Sequence, residues 1–474
     1  MAFQEQLNAP GNGTRQSIAN KQDATKLQES DSKFFANEGV NALSHAFDRK
    51  IAIHPGVNGN IIPAAQMPDH FDVLLDKPRT GKSVAYIHVP FCRTHCLYCG
   101  FFTKAWSNDE SARYVDMLIA EMNIWRGRQA MESGPVHAVY LGGGTPTELA
   151  AEDIRRLLHA AHEMLPLSND CEITVEGRLS NFDERKMEAC LEGGANRFSL
   201  GVQTFHSDIR RSMGRLGSRE EMLKGLERLM SYDEAAIIVD LIYGFPNQSM
   251  RHWEEDLEVT KSLNLDGVDC YQLNVYKATP LGQAIENGKL PPAADIPQQA
   301  AMFAASVDNL TRAFYRRLSM SHWGRTARER NIYNIYVKGS ANCLAFGPGA
   351  GGNLAGHFYA NASLYEEWMN LVGSGQKPYS FMLSPSPHYY LFREIAERIE
   401  QGGLDLTSLR AHYGIDMEKA CSPLLAQWER AGLIELDAGR LTLTLAGQFW
   451  HVNLSQLLQE YLKKQMEVSE YVEN

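Results

Sequence analysis

The chain has 474 residues, with 57 acidic against 46 basic side chains, a formal net charge of −11 and eight cysteines. At roughly 100–200 residues per domain this length gives two to four units and a core that needs no staples, and so few cysteines exclude a disulfide-dense secreted scaffold. The acidic balance excludes a general polyanion binder, no apolar run approaches the ~20 residues of a membrane span, and the first residues carry neither part of a secretory signal.

In chain order, residues 1 to about 33 are polar and amide-rich and are expected to form a mobile arm. From there to residue 82 the text is mixed, with breaks at His54-Pro55-Gly56 and Asn58-Gly59-Asn60. Residues 1–82 form an irregular N-terminal extension, of which the part from Phe34 to about Lys82 is expected to pack on the main domain. At Ser83 the pattern changes. Strands are predicted at 84–89, 136–141, 172–176, 197–202, 236–243 and 267–275. Helices are predicted between them at 109–126, 152–164, 183–191, 218–232 and 253–263. Tyr114, Met117, Leu118, Met122 and Trp125 of the first helix recur at helical spacing. Such alternation implies parallel strands with right-handed crossovers, and six units in so short a span fit a partial (β/α)6 barrel over residues 83–300. In barrels of this kind chemistry sits at the C-terminal ends of the strands.

Residues 301–384 flank the barrel. They hold a helix candidate at 298–318, a polar-aromatic segment at 319–336 and a glycine-rich stretch at 346–352. Residues 385–474 read as a helical, winged-helix-like unit: helices at 389–401, 407–413 and 420–431, a small hairpin, and a last helix at 447–466. The fold class is therefore α/β, with an N-terminal extension and a C-terminal helical unit.

Three cysteines, Cys92, Cys96 and Cys99, are spaced C-x3-C-x2-C in the loop after the first strand. The other five (Cys171, Cys190, Cys270, Cys343 and Cys421) are dispersed among apolar elements and read as small core residues. Structural zinc needs four ligands in closed pairs, and no second pair is present. A [4Fe–4S] cluster normally takes four thiolates, so three leave one iron open to a substrate.

This triplet, in Tyr86-Ile87-His88-Val89-Pro90-Phe91-Cys92, resembles the radical S-adenosylmethionine (SAM) superfamily. More narrowly, it is similar to the branch of the oxygen-independent coproporphyrinogen dehydrogenases. Further matching motifs end the next strands: Gly142-Gly143-Gly144-Thr145-Pro146-Thr147, Glu176, Gly201-Val202-Gln203-Thr204-Phe205 and Asp240-Leu241-Ile242-Tyr243-Gly244-Phe245-Pro246. Successive glycines after a strand bare the backbone N–H and C=O groups to a ligand.

The resemblance implies a [4Fe–4S] cluster on Cys92, Cys96 and Cys99, and one or two SAM molecules. Tyr86, Tyr98, Gly143 and Glu176 match positions that contact a first SAM. Gly144, Thr145, Gln203, Arg215 and Asp240 match those around a second, and Asn274 matches a backbone contact. The implied reaction is reductive cleavage of SAM to a 5′-deoxyadenosyl radical, fed by a flavodoxin or a flavin-dependent reductase. The implied setting is cytoplasmic, without nucleic-acid or membrane partners.

Three departures bear on the substrate. The dehydrogenases continue the triplet as Cys-x-Cys, whereas here Phe101 follows Cys99-Gly100. The third-strand motif reads Val175-Glu176-Gly177-Arg178, without the acid-and-proline wording of the relatives. The segment from Ser321 to Asn334 resembles that of the anaerobic haem-utilisation enzymes of the HutW/ChuW type, and the long N-terminal extension agrees. That subfamily implies anaerobic haem degradation: methyl transfer from SAM, opening of the macrocycle, and release of iron with a linear tetrapyrrole. Within the segment, Arg325, Arg328 and Arg330 can pair with haem propionates, Trp323 and Tyr333 can face the ring, and His322 can approach the iron. Read from its residues alone, the segment is equally an exposed charged loop with one packed tryptophan. A coproporphyrinogen III dehydrogenase and a non-catalytic haem chaperone remain the alternatives.

Overall fold

A computed structural model describes residues 32–51, 59–100, 102, 104–107 and 110–472. The predicted mobile arm falls outside these residues apart from its last two. His54-Pro55-Gly56, Asn58 and Phe101 also lie outside them.

Six parallel strands form the centre: β1 (Ser83–Val89), β2 (Val136–Gly143), β3 (Leu167–Gly177), β4 (Arg197–Gln203), β5 (Ala236–Tyr243) and β6 (Gly267–Gln272), paired in that order. Crossover helices α1 (Ser111–Ile124), α2 (Ala151–Met164), α3 (Glu184–Glu192), α4 (Arg219–Ser231) and α5 (Met250–Ser262) join them, and α6 (Ile296–Arg312) follows β6. Capping boxes fix the starts of three helices, with Ser218, Ser249 and Asp295 each bonded reciprocally to the residue three positions on.

Side chains alternate along each strand. On β1, Ala85, Ile87 and Val89 are fully buried in the main core cluster, which continues through Leu118 and Leu157 of the crossover helices. Val84, Tyr86 and His88 occupy the opposite face. Because the lumen-facing set on the other strands includes Glu176, Arg197, Asp240 and Asp269, the strands are not the near-continuous apolar runs of a doubly covered sheet. Half of each pattern builds the barrel wall and half builds the site.

The barrel is open between β1 and β6. Asn342–Phe346 runs parallel to β1 on its outer side and leads into an antiparallel meander of Gly351–Leu354, His357–Asn361 and Tyr379–Pro385. At the other edge, His322–Gly324 pairs antiparallel with the lower half of β6. The whole is one 13-stranded mixed sheet. Helix α6 ends at Arg312, short of the predicted Leu318, and β6 ends at Gln272, short of Val275.

The C-terminal unit has helices Tyr389–Glu400, Leu406–Tyr413, Met417–Ala420 and Ser422–Arg430 around a three-stranded sheet of Gly403–Asp405, Ile434–Asp437 and Arg440–Leu443. The expected last helix is two, Leu445–Phe449 and His451–Val472, separated at Trp450.

The N-terminal extension divides. Residues 59–75 join the main sheet: Gly59–Ile61 pairs with Tyr379–Pro385, and Phe71 packs against Trp125, Tyr359 and Tyr379. Residues 32–51 instead bind largely to the C-terminal unit. The Trp428 indole donates to the Phe34 carbonyl at 3.0 Å, Gln427 brackets the backbone of Ala36, and Trp450 donates to the Ala42 carbonyl at 2.9 Å. The expectation that residues 34–82 pack on the main domain did not include these contacts with the C-terminal unit, whose partners lie some 390 residues away.

Candidate active site

The cysteine loop leaves the C-terminal end of β1, and two neighbours hold it. Gly144 N–H donates to the Val89 carbonyl at 2.7 Å, and Leu97 N–H to the Met213 carbonyl at 3.1 Å. A Cβ on Gly144 would fall 2.5 Å from the Phe91 carbonyl oxygen, so only glycine lets β2 approach the loop this closely. Gly143 has φ +110°, and a Cβ there would strike the His88 imidazole at 2.4 Å. Gly143 and Gly144 are thus fitted to the β1 lumen face and the loop, and Gly142 to Glu176 and Tyr140.

Cys92 and Cys96 are buried and Cys99 half-buried. Cys92 Sγ lies 3.2 Å from Thr145 Oγ1 and 3.6 Å from the Arg178 guanidinium, and Cys96 Sγ lies 3.5 Å from Arg215. Burial pushes the Cys92 thiol up, and Arg178 and Thr145 oppose it. This donor set suits a cluster: thiolates carry negative charge, and guanidinium groups offset it in a buried place. Among the described residues no three ligand side chains close on a single ion. The remaining five cysteines are buried and free, in keeping with a packing role.

Around the loop, the predicted contacts fall into two groups. On the β1–β3 side, the Glu176 carboxylate accepts from Tyr140 Oη at 2.5 Å and from Gly143 N–H at 3.1 Å. Burial pushes Glu176 up, while these two donors hold it down. Tyr86 Oη meets His88 Nδ1 at 2.8 Å. On the β4 side, Arg215 reaches Tyr98 Oη at 3.3 Å and the Gly201 carbonyl, and Tyr98 packs on Phe245. Gln203 ends β4 at φ +64°, with its side chain against Gly201 beside Arg215. Its Oε1 and the Arg215 Nε are buried without a protein partner. A ligand carrying both donor and acceptor groups, such as the amino-acid end of SAM, fits them.

Asp240 lies deeper in the lumen and accepts from Ser199 Oγ at 3.0 Å. Burial and the neighbouring carboxylates Asp269 and Glu176 push it up to about 7. Asn274 stands just past β6 and lines a lateral cavity.

The remaining predicted contacts lie elsewhere. Arg325, Arg328 and Arg330 sit at the N-terminal rim of the barrel, opposite the cysteine loop. Arg325 N–H bonds to the Asp266 carbonyl at 2.6 Å, Arg328 pairs with Asp233 at 2.8 Å and Arg330 with Asp170 at 2.9 Å. The Arg328 and Arg330 pairs lie at the surface, with carboxylates near the N-terminal ends of β5 and β3 and not with groups around the cysteine loop. His322 is 1% exposed and clamped between Asp269 at 2.7 Å and Glu329 at 2.8 Å, so it has no free nitrogen for an iron. Trp323 is buried against the Arg317 guanidinium. Tyr333 stacks on Tyr140 at 4.4 Å inside the lumen.

His88, Tyr140, Arg178 and the Arg197–Glu329–His322–Asp269 chain were not anticipated. Two of them carried a signal. His88 is two residues from Tyr86, and Tyr140 pairs in register with it, so strand alternation alone aims both at the lumen.

The radical SAM superfamily model matches residues 86–259, and the HemN C-terminal domain model matches residues 386–450. The chain is 40% identical over 386 residues to anaerobilin synthase of Escherichia coli O157:H7, covering 81% of this chain and 85% of that protein. It is 32% identical over 289 residues to the haem chaperone HemW of Lactococcus lactis, covering 61% and 73%. The solved structure of coproporphyrinogen III oxidase from Escherichia coli superposes with a TM-score of 0.71 at 21% identity, covering 82% of this chain and 93% of that one. No helix among the described residues is long and apolar enough to cross a membrane. The cysteine loop with its paired guanidinium groups, the six-stranded open barrel and these matches together establish that the chain belongs to the radical SAM superfamily, in its coproporphyrinogen dehydrogenase-like branch, whose enzymes work with a [4Fe–4S] cluster and SAM.

Proposed function

We propose that this radical SAM enzyme degrades haem anaerobically, as a methyltransferase of the anaerobilin synthase type that opens the macrocycle to a linear tetrapyrrole and releases iron. One observation carries the reading: 40% identity sustained over 85% of anaerobilin synthase, against 32% over 73% of the haem chaperone.

The cluster and SAM supply the radical chemistry, a one-electron reductive cleavage of the SAM sulfonium. The chain does the rest. Cys92, Cys96 and Cys99 would hold the cluster, and Arg178 and Arg215 would offset the thiolate charge of Cys92 and Cys96. Glu176, locked by Tyr140 and Gly143, fixes the acceptor on the β3 side, while Gln203 and Arg215 offer unused polar atoms on the β4 side. Asp240 holds a proton at its carboxyl group up to about pH 7, within the lumen. Buried Glu329 and Asn331, with Tyr333 stacked on Tyr140, fill the lower end of the lumen and keep water from entering there. A flavodoxin or a flavin-dependent reductase supplies the electron.

Anaerobic incubation of reconstituted protein with reductant, SAM and haem tests the reading. Loss of the haem Soret band together with release of 5′-deoxyadenosine and a methylated tetrapyrrole is the expected outcome. Haem that survives while SAM is consumed only with coproporphyrinogen points to the dehydrogenase. Haem binding without any SAM cleavage points to the chaperone.

A further inference from the structure

A cavity of about 270 Å³ opens where the upper edge of β6 is left free by the short strand His322–Gly324. Both faces of β6 contribute to it: Asp269 and Tyr271 from the lumen side, Cys270 and Gln272 from the other. Across from them stand Phe449 and His451 of the C-terminal unit and Lys50 of the N-terminal segment. The cavity is therefore a side entrance, joining the barrel lumen to the outer face of β6.

The charges in its wall are unequally matched. Glu400 takes Lys338 at 2.5 Å and His451 at 3.4 Å, and Asp269 takes His322 at 2.7 Å. Lys50 is different. Its Nζ donates to the neutral Gln272 amide oxygen and lies 3.5 Å from the centre of the Phe449 ring and 6.0 Å from that of Trp450. No salt bridge joins it to a carboxylate among the described residues, and burial pushes its ammonium group well below the ordinary lysine range. A desolvated cation beside a cavity is stabilised most by an anion that can enter it. A second observation points the same way. Tyr271 is 40% exposed although its side of β6 faces the lumen, so space remains beside its ring.

We propose that Lys50 anchors a carboxylate of the tetrapyrrole, and that this cavity receives the carboxylate-bearing edge of the ring. The walls suit that edge. Phe303, Phe449, Tyr271 and Met320 supply apolar and aromatic surface for a flat macrocycle, and an entering carboxylate restores the Lys50 charge that burial disfavours. The volume is just below the ~300–1,000 Å³ of pockets that enclose a whole drug-sized ligand, so the cavity takes one edge of the ring. The opposite edge then extends past Asp269 into the lumen, towards Asp240. This assignment rests on haem as the substrate, and it moves carboxylate recognition from the floor arginines to the N-terminal segment.

Anaerobic titrations of the reconstituted protein, followed at the Soret band, test it with two ligands and two variants. The ligands are mesohaem and mesohaem dimethyl ester, which keeps ring and iron but carries no carboxylate. The variants are Lys50→Met and Lys50→Arg. Wild-type protein should prefer mesohaem over its ester by about tenfold, the scale of one charge-assisted hydrogen bond. Lys50→Met should abolish that preference, Lys50→Arg should retain most of it, and SAM affinity should stay unchanged in both. Equal binding of acid and ester by the wild type overturns the proposal without any variant, and leaves haem as substrate intact. A Lys50→Met protein that still discriminates as the wild type does also overturns it. Wild-type protein that binds neither ligand overturns the haem reading together with it.

Discussion

Cys92 and Cys96 each face a guanidinium group, Arg178 and Arg215, within hydrogen-bonding reach of sulfur. Cys96→Ala should therefore abolish the iron–sulfur absorption after reconstitution, and SAM cleavage with it. A variant that cleaves SAM at the wild-type rate would remove Cys96 from the ligand set. Asp240 makes a different kind of test. Its carboxyl group titrates at about 7 in the fold against 3.8 when free, because burial and two neighbouring carboxylates disfavour the charge. The folded chain then binds the proton more tightly than the unfolded one. Stability contributed by the neutral form declines as pH rises from about 4 to about 7, and the full cost of ionisation is present above that window. Asp240→Asn, which cannot ionise, should raise the Tm near pH 8 and leave it nearly unchanged near pH 4. Thermal melts at the two pH values check this, and an equal shift at both would refute the assignment.

Between the barrel and its floor, the decisive element is the segment 322–333. It runs from an antiparallel pairing on β6, across the N-terminal rim, to a helix (Ile332–Lys338) lodged against β1 and β2. Glu329 rises from it to grip Arg197 at 2.9 Å and His322 at 2.8 Å, with Glu329 wholly buried and Arg197 and His322 each 1% exposed. Burial opposes both charges, yet the partners prevail: Glu329 is held down to about 2 and His322 is lifted to about 9. Removing one member of such a network strands the others, so Glu329→Gln should cost ~3–5 kcal/mol in chemical denaturation. The share due to charged His322 is fully present below about pH 6.5 and lost as pH rises through about 9. The difference in stability between wild type and His322→Gln should accordingly shrink between pH 6 and pH 10. A constant difference would show that packing, not charge, is at work. The same element marks the limit of what the sequence discloses. Strand–helix alternation, the cysteine spacing and the glycine run are local patterns and were legible. The arginines of 325–330 were visible only as a charged cluster, because the carboxylates that pair with Arg328 and Arg330, Asp233 and Asp170, lie up to 160 residues away. Their types agree with propionate binding and with floor closure alike, and only the fold chooses between the two.

At the scale of the whole molecule, the N-terminal segment 32–51 ties the C-terminal unit to the barrel. Its backbone satisfies the indole donors of Trp428 and Trp450 and the amides of Gln427 and Asn453, while Lys50 reaches β6. Deleting residues 1–51 should lower the Tm, since each stranded buried donor costs ~1–3 kcal/mol, and should shift tryptophan emission to the red. Porphyrin affinity should fall with it while the iron–sulfur absorption persists, because no contact of the segment reaches the cysteine loop among those described. An unchanged melt and emission maximum would show that the segment is dispensable. The long parallel partnership of β1 has a consequence for how the molecule is made. Its outer neighbour, Asn342–Phe346, is synthesised roughly 260 residues after it, a separation of the kind that slows folding through loop-closure entropy. Until that strand emerges from the ribosome, β1 is an open edge available to other chains, and Gly347 has yet to close over the His88 carbonyl. The strand from which the cysteine loop departs thus gains its outer neighbour only after the whole barrel has been synthesised.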